Sequence, residues 1–221
     1  EVCKDDFTKC EYIEMVDVAI DIHWIDGNDS DGTRPTSTDY MNIIEVESEV
    51  GGQITRSPLP SDASYSSSGT NSGRITCKLP KYNKDGDEIK YTLVQDEQKL
   101  MTTMGYIATP NPKYPDSLTN VQTVDFAVNV TDLDGDKIKN DKHPELLTES
   151  LLKGSASPFV LNRDGSACTT DQGNDTWVFD SATGTGTYTY KYLPKYDLGS
   201  SGLGGSEYLY TLTMQGDEKT I

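Results

Sequence analysis

The chain has 221 residues and a formal charge of −17, from 36 acidic against 19 basic side chains. Such a surface repels phosphate backbones and anionic headgroups, which excludes nucleic acid as a partner and disfavours acidic membranes. No run of 18 apolar residues occurs, so no membrane insertion is expected. The hydrophobic fraction is 34%, yet it includes 13 Tyr, and 19 Gly accompany it. That is a strand-and-turn composition, which predicts an all-β fold.

Residues 1–12 read as an N-terminal arm carrying Cys3 and Cys10. A first module is expected over residues 13–124. It opens with VAIDIHWIDGNDSDGTRP (18–35), in which Ile20, Ile22 and Trp24 alternate with Asp21 and His23. Period two gives one packed face and one wet face, so His23 is expected at the surface. Residues 57–73 are expected to be an exposed Ser-rich loop. The module continues with Cys77 in a strand, then KLPKYNKDGDEIKYTL (78–93), and residues 110–116 read as a Pro-rich, semi-rigid linker.

A second module is expected over residues 125–221, because the same elements return in the same order. FAVNVTDLDGDKIKNDKHP (126–144) echoes the first strand and loop, and YLPKYDLGSSGLGGSEYLYTL (192–212) echoes the second motif with a longer Gly/Ser loop. Two ordered matches about 110 residues apart indicate a tandem duplication of whole domains rather than a solenoid. Turns are expected at Asp26-Gly27, Asp31-Gly32, Asp85-Gly86, Asp134-Gly135 and Asp164-Gly165. One or two helical turns are expected over 144–153. The whole reads as two antiparallel sandwiches held in a rod.

WIDGNDSDGTRP followed by LPKY, a DG turn and YTL resembles the B-type repeat of collagen-binding adhesins, the Cna B-type domain. The resemblance implies two immunoglobulin-like antiparallel β-sandwich domains of the kind used in extracellular, cell-surface stalks and pilins. In that family a Lys two residues before the Trp often joins an Asn through an isopeptide bond promoted by a buried acid. Here Ile22 stands at the Lys position, with Thr131 in the second copy, and Val94 and Gln95 stand where the acid would fall. Asn120 is then a vestigial isopeptide position with nothing to join. The second copy has Leu133 for Trp24 and His143 for Arg34, and it stops at Ile221 ahead of the strand that would carry its Asn.

Cys3, Cys10, Cys77 and Cys168 do not occupy shared positions in the two copies, so they read as cross-links between subunits, with a local Cys3–Cys10 loop as the alternative. Two loops are dense in oxygen ligands: Asp26, Asn28 and Asp31 in one, Asp132, Asp134 and Asp136 in the other. Either each is a solvated turn, and no cofactor is needed, or they bind calcium. Neither has the EF-hand register. Asn28, Asn129 and Asn174 begin glycosylation tripeptides. With two histidines and no nucleophile or phosphate-loop motif, no enzyme is expected. The leading expectation is a homo-oligomeric structural subunit that assembles into a filament through its arm and disulfides. The alternative is a stalk or ligand-binding module of an adhesin.

Overall fold

The computed structural model describes residues 13–131, 159–168, 173–180 and 185–214. Within them the chain is mostly β, with several antiparallel sheets and two short helices. It divides into two compact units. The first runs to Gln122 and includes Leu198–Gly205; the second comprises Thr123–Asp197 and continues from Ser206. Residues 144–153, expected to turn helically, lie outside the described residues, as do Asp134 and Gly135.

In the first unit one sheet is built on β1 (Met15–Ile25). It pairs antiparallel with β5 (Ser72–Pro80), which in turn pairs with β4 (Ser64–Ser67). On its other edge β1 pairs in parallel with β8 (Ser117–Thr131), from Asp21↔Ser117 to Ile25↔Val121, and β8 is flanked by β7 (Tyr106–Ala108). The second sheet is β3 (Gln53–Pro58), β2 (Ile44–Val50) and β6 (Lys90–Gln95), in that order. The alternating side chains of both sheets meet in one core of Ile22, Trp24, Ile44, Val46, Ile75, Cys77 and Leu93. Helix α1 (Ser37–Met41) adds Tyr40, and α2 (Glu97–Met104) adds Leu100. Both helices carry N-caps, Thr36 and Asp96, whose side chains accept from Asp39 N and Lys99 N; α2 ends at Gly105 in the left-handed region. Residues 57–73, expected to be an exposed loop, include the end of β3 and all of β4. Ser64 and Ser66 there bond to Thr76 and to the carbonyl of Arg74 on β5, which is how a serine-rich stretch becomes an edge strand.

The second unit repeats this order. Residues 123–131 of β8 pair antiparallel with β12 (Thr185–Pro194), which pairs with β11 (Thr176–Asp180). The facing set is β10 (Ser166–Ala167), β9 (Phe159–Arg163) and β13 (Tyr210–Met214). Strand for strand, β8 plays β1, β9 and β10 play β2 and β3, and β11 to β13 play β4 to β6. Both β2–β3 and β9–β10 turn through two residues with positive φ, Gly51-Gly52 and Asp164-Gly165.

The register sharpens the alignment of the copies. Ile22 lies opposite Gly73 and Val130 opposite Gly186. Val130, and not Thr131, is therefore the counterpart of Ile22, and the match of Leu133 to Trp24 is one residue out. A bulge after Tyr190, with Tyr192 at φ 54, inserts one residue into β12. It is specific to the second copy.

Candidate functional site

The LPKY…YTL motif forms the same clasp twice. In the first copy Ile89 N donates to Lys81 O and Asn83 N to Asp87 O, around a bridge between Tyr82 and Glu88. In the second, Tyr208 N donates to Lys195 O and Asp197 N to Ser206 O, around a bridge between Tyr196 and Glu207. The YTL tyrosine then ties each clasp shut: Tyr91 Oη donates to Pro80 O at 2.7 Å, and Tyr210 Oη to Pro194 O at 2.6 Å. Lys81 and Lys195 sit over the rings of Tyr82 and Tyr196. A second repeated device lies on the edge strands. The ring of Tyr65 covers Gly73 and that of Trp177 covers Gly186, so closely that a Cβ on either glycine would lie about 2 Å from ring atoms. In both, an aromatic side chain fills the space a glycine leaves in the neighbouring strand.

The positions singled out for an isopeptide bond do converge in the first unit. Asn120 is fully buried; its Nδ2 donates to Tyr40 Oη at 3.1 Å, and that hydroxyl donates to Gln95 Oε1 at 2.8 Å. Burial pushes the Tyr40 hydroxyl pKa well up, so it stays a neutral donor. Ile22, wholly buried, belongs to the same core as Tyr40. The cluster contains no amine and no acid, so its chemistry is that of a buried amide–phenol–amide chain. Asn120 Oδ1 has no partner, which costs about 1–3 kcal/mol. Among the described residues the second unit shows no such chain, and the residue paired as Gln95 is paired in β6 is Met214 in β13.

The Asp-rich loop is stitched shut by protein donors. Asp26, 1% exposed, receives Arg34 Nη2 at 2.6 Å on Oδ1 and Arg34 Nε at 2.7 Å on Oδ2, with Tyr106 Oη at 3.1 Å. Arg34 also reaches Asn71 Oδ1 and Thr70 O. Desolvation alone would lower the Arg34 pKa, but the hydrogen bonds and charge of Asp26 outweigh it and raise it. Asn28 Oδ1 accepts from Asn71, while Asp31 accepts from Thr33 and Gln122. The oxygens proposed for calcium at Asp26, Asn28 and Asp31 are thus taken by donors, with the guanidinium supplying the positive charge. Among the described residues no three His, Cys, Asp or Glu side chains are grouped to hold a metal ion. Asp132, Asp134 and Asp136 lie outside the described residues.

Cys77 and Cys168 are both free thiols and do not pair with each other within the chain. Cys77 points into the core at 4% exposure, where no second subunit can reach it without unfolding β5. Cys3 and Cys10 lie outside the described residues. His23 is also unlike its expectation. It does alternate away from Ile22 and Trp24, but residues 110–116 fold over that face, so it is only 6% exposed and stacks on Tyr114 at 4.4 Å. Those residues, expected to be a linker, belong to the first unit, where Asn111 is buried. Sequence reasoning missed Tyr40 altogether; the Thr36-Ser37-Thr38-Asp39 capping pattern before it was the available signal.

Residues 45 and 56 on the β2–β3 pair, with 94–97 and Leu118, line an open depression of about 660 Å³. It carries Glu45, Asp96 and Glu97 against Arg56, whose guanidinium is already paired with Glu47. No helix among the described residues is long and apolar enough to cross a membrane. No family model, curated protein or solved structure matches the chain.

Proposed function

We propose that the chain is a non-enzymatic, extracellular structural subunit made of two immunoglobulin-like sandwiches similar to Cna B-type domains, and that it self-assembles into a pilus-like filament at a cell surface. The observation that carries this reading is the repetition of one architecture with its fastenings intact: the same six strands, the same tyrosine-to-proline clasp, and the same aromatic-over-glycine packing. Duplicating a module while conserving what locks its strands, with no repeated cluster of reactive side chains among the described residues, is what a load-bearing stalk requires. In the first unit, residues 117–121 of β8 add in parallel to β1. The corresponding edge of β8 in the second unit, at 129–131, has no strand partner among the described residues. Unpaired edges recruit strands from other chains. With Cys77 buried, the cross-links of such a filament fall to Cys3 and Cys10 on the arm and to the partly exposed Cys168.

The test is a gel of native material with and without reductant, followed by negative-stain microscopy. A ladder in multiples of 24.3 kDa that collapses on reduction, with filaments on the grid, is the expected result. Deleting residues 1–12 should then abolish filaments and leave folded monomers. Monomer in both lanes and an empty grid would displace this reading in favour of an adhesin stalk.

A further inference from the structure

The contact between His23 and residues 110–116 is a third kind of fastening, and among the described residues it is found in the first unit only. The imidazole is held between β5 and this segment. Nδ1 lies 3.1 Å from Ser72 Oγ, one face meets the Tyr114 ring at 47°, and Nε2 is buried without any partner. The segment itself has few other anchors. Asn111 Nδ2 donates to Thr119 Oγ1 and to Gly202 O, Lys113 N and Tyr114 N return to Asn111, and Ser117 N donates to Tyr114 O. Gly202 belongs to the loop Leu198–Gly205, which is part of this unit and carries no Cβ where Asn111 and Lys113 approach.

We propose that His23 is a proton-sensitive latch: neutral, it holds residues 110–116 down over the β1–β8 edge, and protonated, it releases them. The reason is the environment of the ring. With the single proton on Nδ1 and donated to Ser72 Oγ, a second one at Nε2 leaves an N–H buried with no acceptor and places a charge in a desolvated site. The charged and titratable groups around it are few. On β1 the nearest is Asp21, which is engaged by Arg74 of β5; the segment sets Tyr114 against the ring and carries Lys113 and Asp116 on either side of it in the chain, and β8 presents uncharged Thr119 in register. Desolvation lowers the His23 pKa and the field of Asp21 only partly restores it. A group whose folded pKa lies below its unfolded value of 6.5 holds more protons when released. Opening therefore becomes easier as pH falls through 6.5, by up to about tenfold per pH unit until the folded pKa is reached.

Hydrogen exchange on the full chain, corrected for intrinsic rates, reads this directly. Amides of 113–117 should lose protection several-fold between pH 7 and pH 5 while β5 keeps its own. The variant His23→Thr, which has no titrating ring, should abolish that pH dependence whatever its absolute protection. Because the sequence holds only two histidines, a nuclear magnetic resonance titration with His143→Gln as reference isolates the His23 ring. Its midpoint should fall below 6.5 and coincide with segment opening. Unchanged protection of 113–117 in the wild type, a fall that survives His23→Thr, or a ring that titrates without any response of the segment would each overturn the latch.

Discussion

The two units share a strand order but not a core. Among the described residues the first buries Trp24, Tyr40, Leu100 and Tyr106 beneath aliphatic strands, and closes over them with two capped helices and β7. The second buries Leu161, Tyr188, Tyr190, Leu193 and Tyr210. At matched register Ile75 and Cys77 become Tyr188 and Tyr190, and Gln95 becomes Met214. What survives the exchange of core side chains is what fastens strands to each other: the clasp and the aromatic cover over glycine. The module is therefore specified by its edges and turns, while the interior tolerates aliphatic or tyrosine packing so long as each buried hydroxyl finds an acceptor. Tyr188 meets this need through Asp175 at 2.8 Å, and Tyr40 through Gln95.

The largest break in the comparison should come from a fastening that only the first unit is seen to have. Arg34→Ala removes the one cation bonded to Asp26 among the described residues and leaves a wholly buried carboxylate unpaired under Tyr106. The expected loss is about 3–5 kcal/mol by chemical denaturation. Arg34→Lys should recover little of it, since one ammonium cannot supply the Nε and Nη2 pair as well as the bonds to Asn71 and Thr70. Full stability in Arg34→Ala would show that the loop is held by its turns alone.

Much of this organisation could be read from the residues, and the failures have physical causes. Alternation in 18–24 and the repeated LPKY and YTL motifs located β1, β5, β6 and their counterparts, because those signals are local. The burial of His23 was not legible, since a segment about 90 residues away covers a strand face that alternation marks as wet. Cys77 carried no sign of whether its strand face was packed until β1 and β5 were in register. The equal spacing of Trp24 to Pro35 and Leu133 to Pro144 puts the copy alignment of the first strand one residue out. Loop spacing does not fix strand register, which the pairing of Ile22 with Gly73 and of Val130 with Gly186 does. Of the isopeptide positions, Asn120, Ile22 and Gln95 do fall in one core, but the role of Tyr40 in holding two of them depends on a five-residue helix too short to show periodicity.

A smaller, symmetric effect tests the aromatic covers. Gly73→Ala and Gly186→Ala each drive a methyl group into a ring, Tyr65 in one case and Trp177 in the other. Each ring lies on an edge strand and can swing outward, so the cost is expected at about 1–3 kcal/mol rather than a failure to fold. Pairing Gly73→Ala with Tyr65→Ala should recover part of the loss, and Gly186→Ala with Trp177→Ala likewise, because each cavity then admits the methyl. Equal couplings in the two double-mutant cycles would establish one device used twice, whereas coupling in one copy alone would make the other a coincidence of packing.

The smallest effect concerns the clasp. Tyr91→Phe and Tyr210→Phe delete one hydroxyl each and strand the carbonyls of Pro80 and Pro194, at an expected cost of about 1 kcal/mol apiece. Both hydroxyls are shifted up by burial, that of Tyr210 to about 12, so the bond persists at pH values where a free tyrosine ionises. The sign follows from the proton each folded state keeps. Below pH 10 the contribution is whole; above it the unfolded chain loses its proton first, so stability drains away as pH rises, for Tyr210 between 10 and about 12. Each Phe variant should accordingly show a shallower alkaline decline than the wild type, even though it starts lower at neutral pH. If Tyr91→Phe flattens that decline and Tyr210→Phe does not, the second clasp is held by its backbone ladder from Lys195 to Tyr208, and its phenol merely fills space.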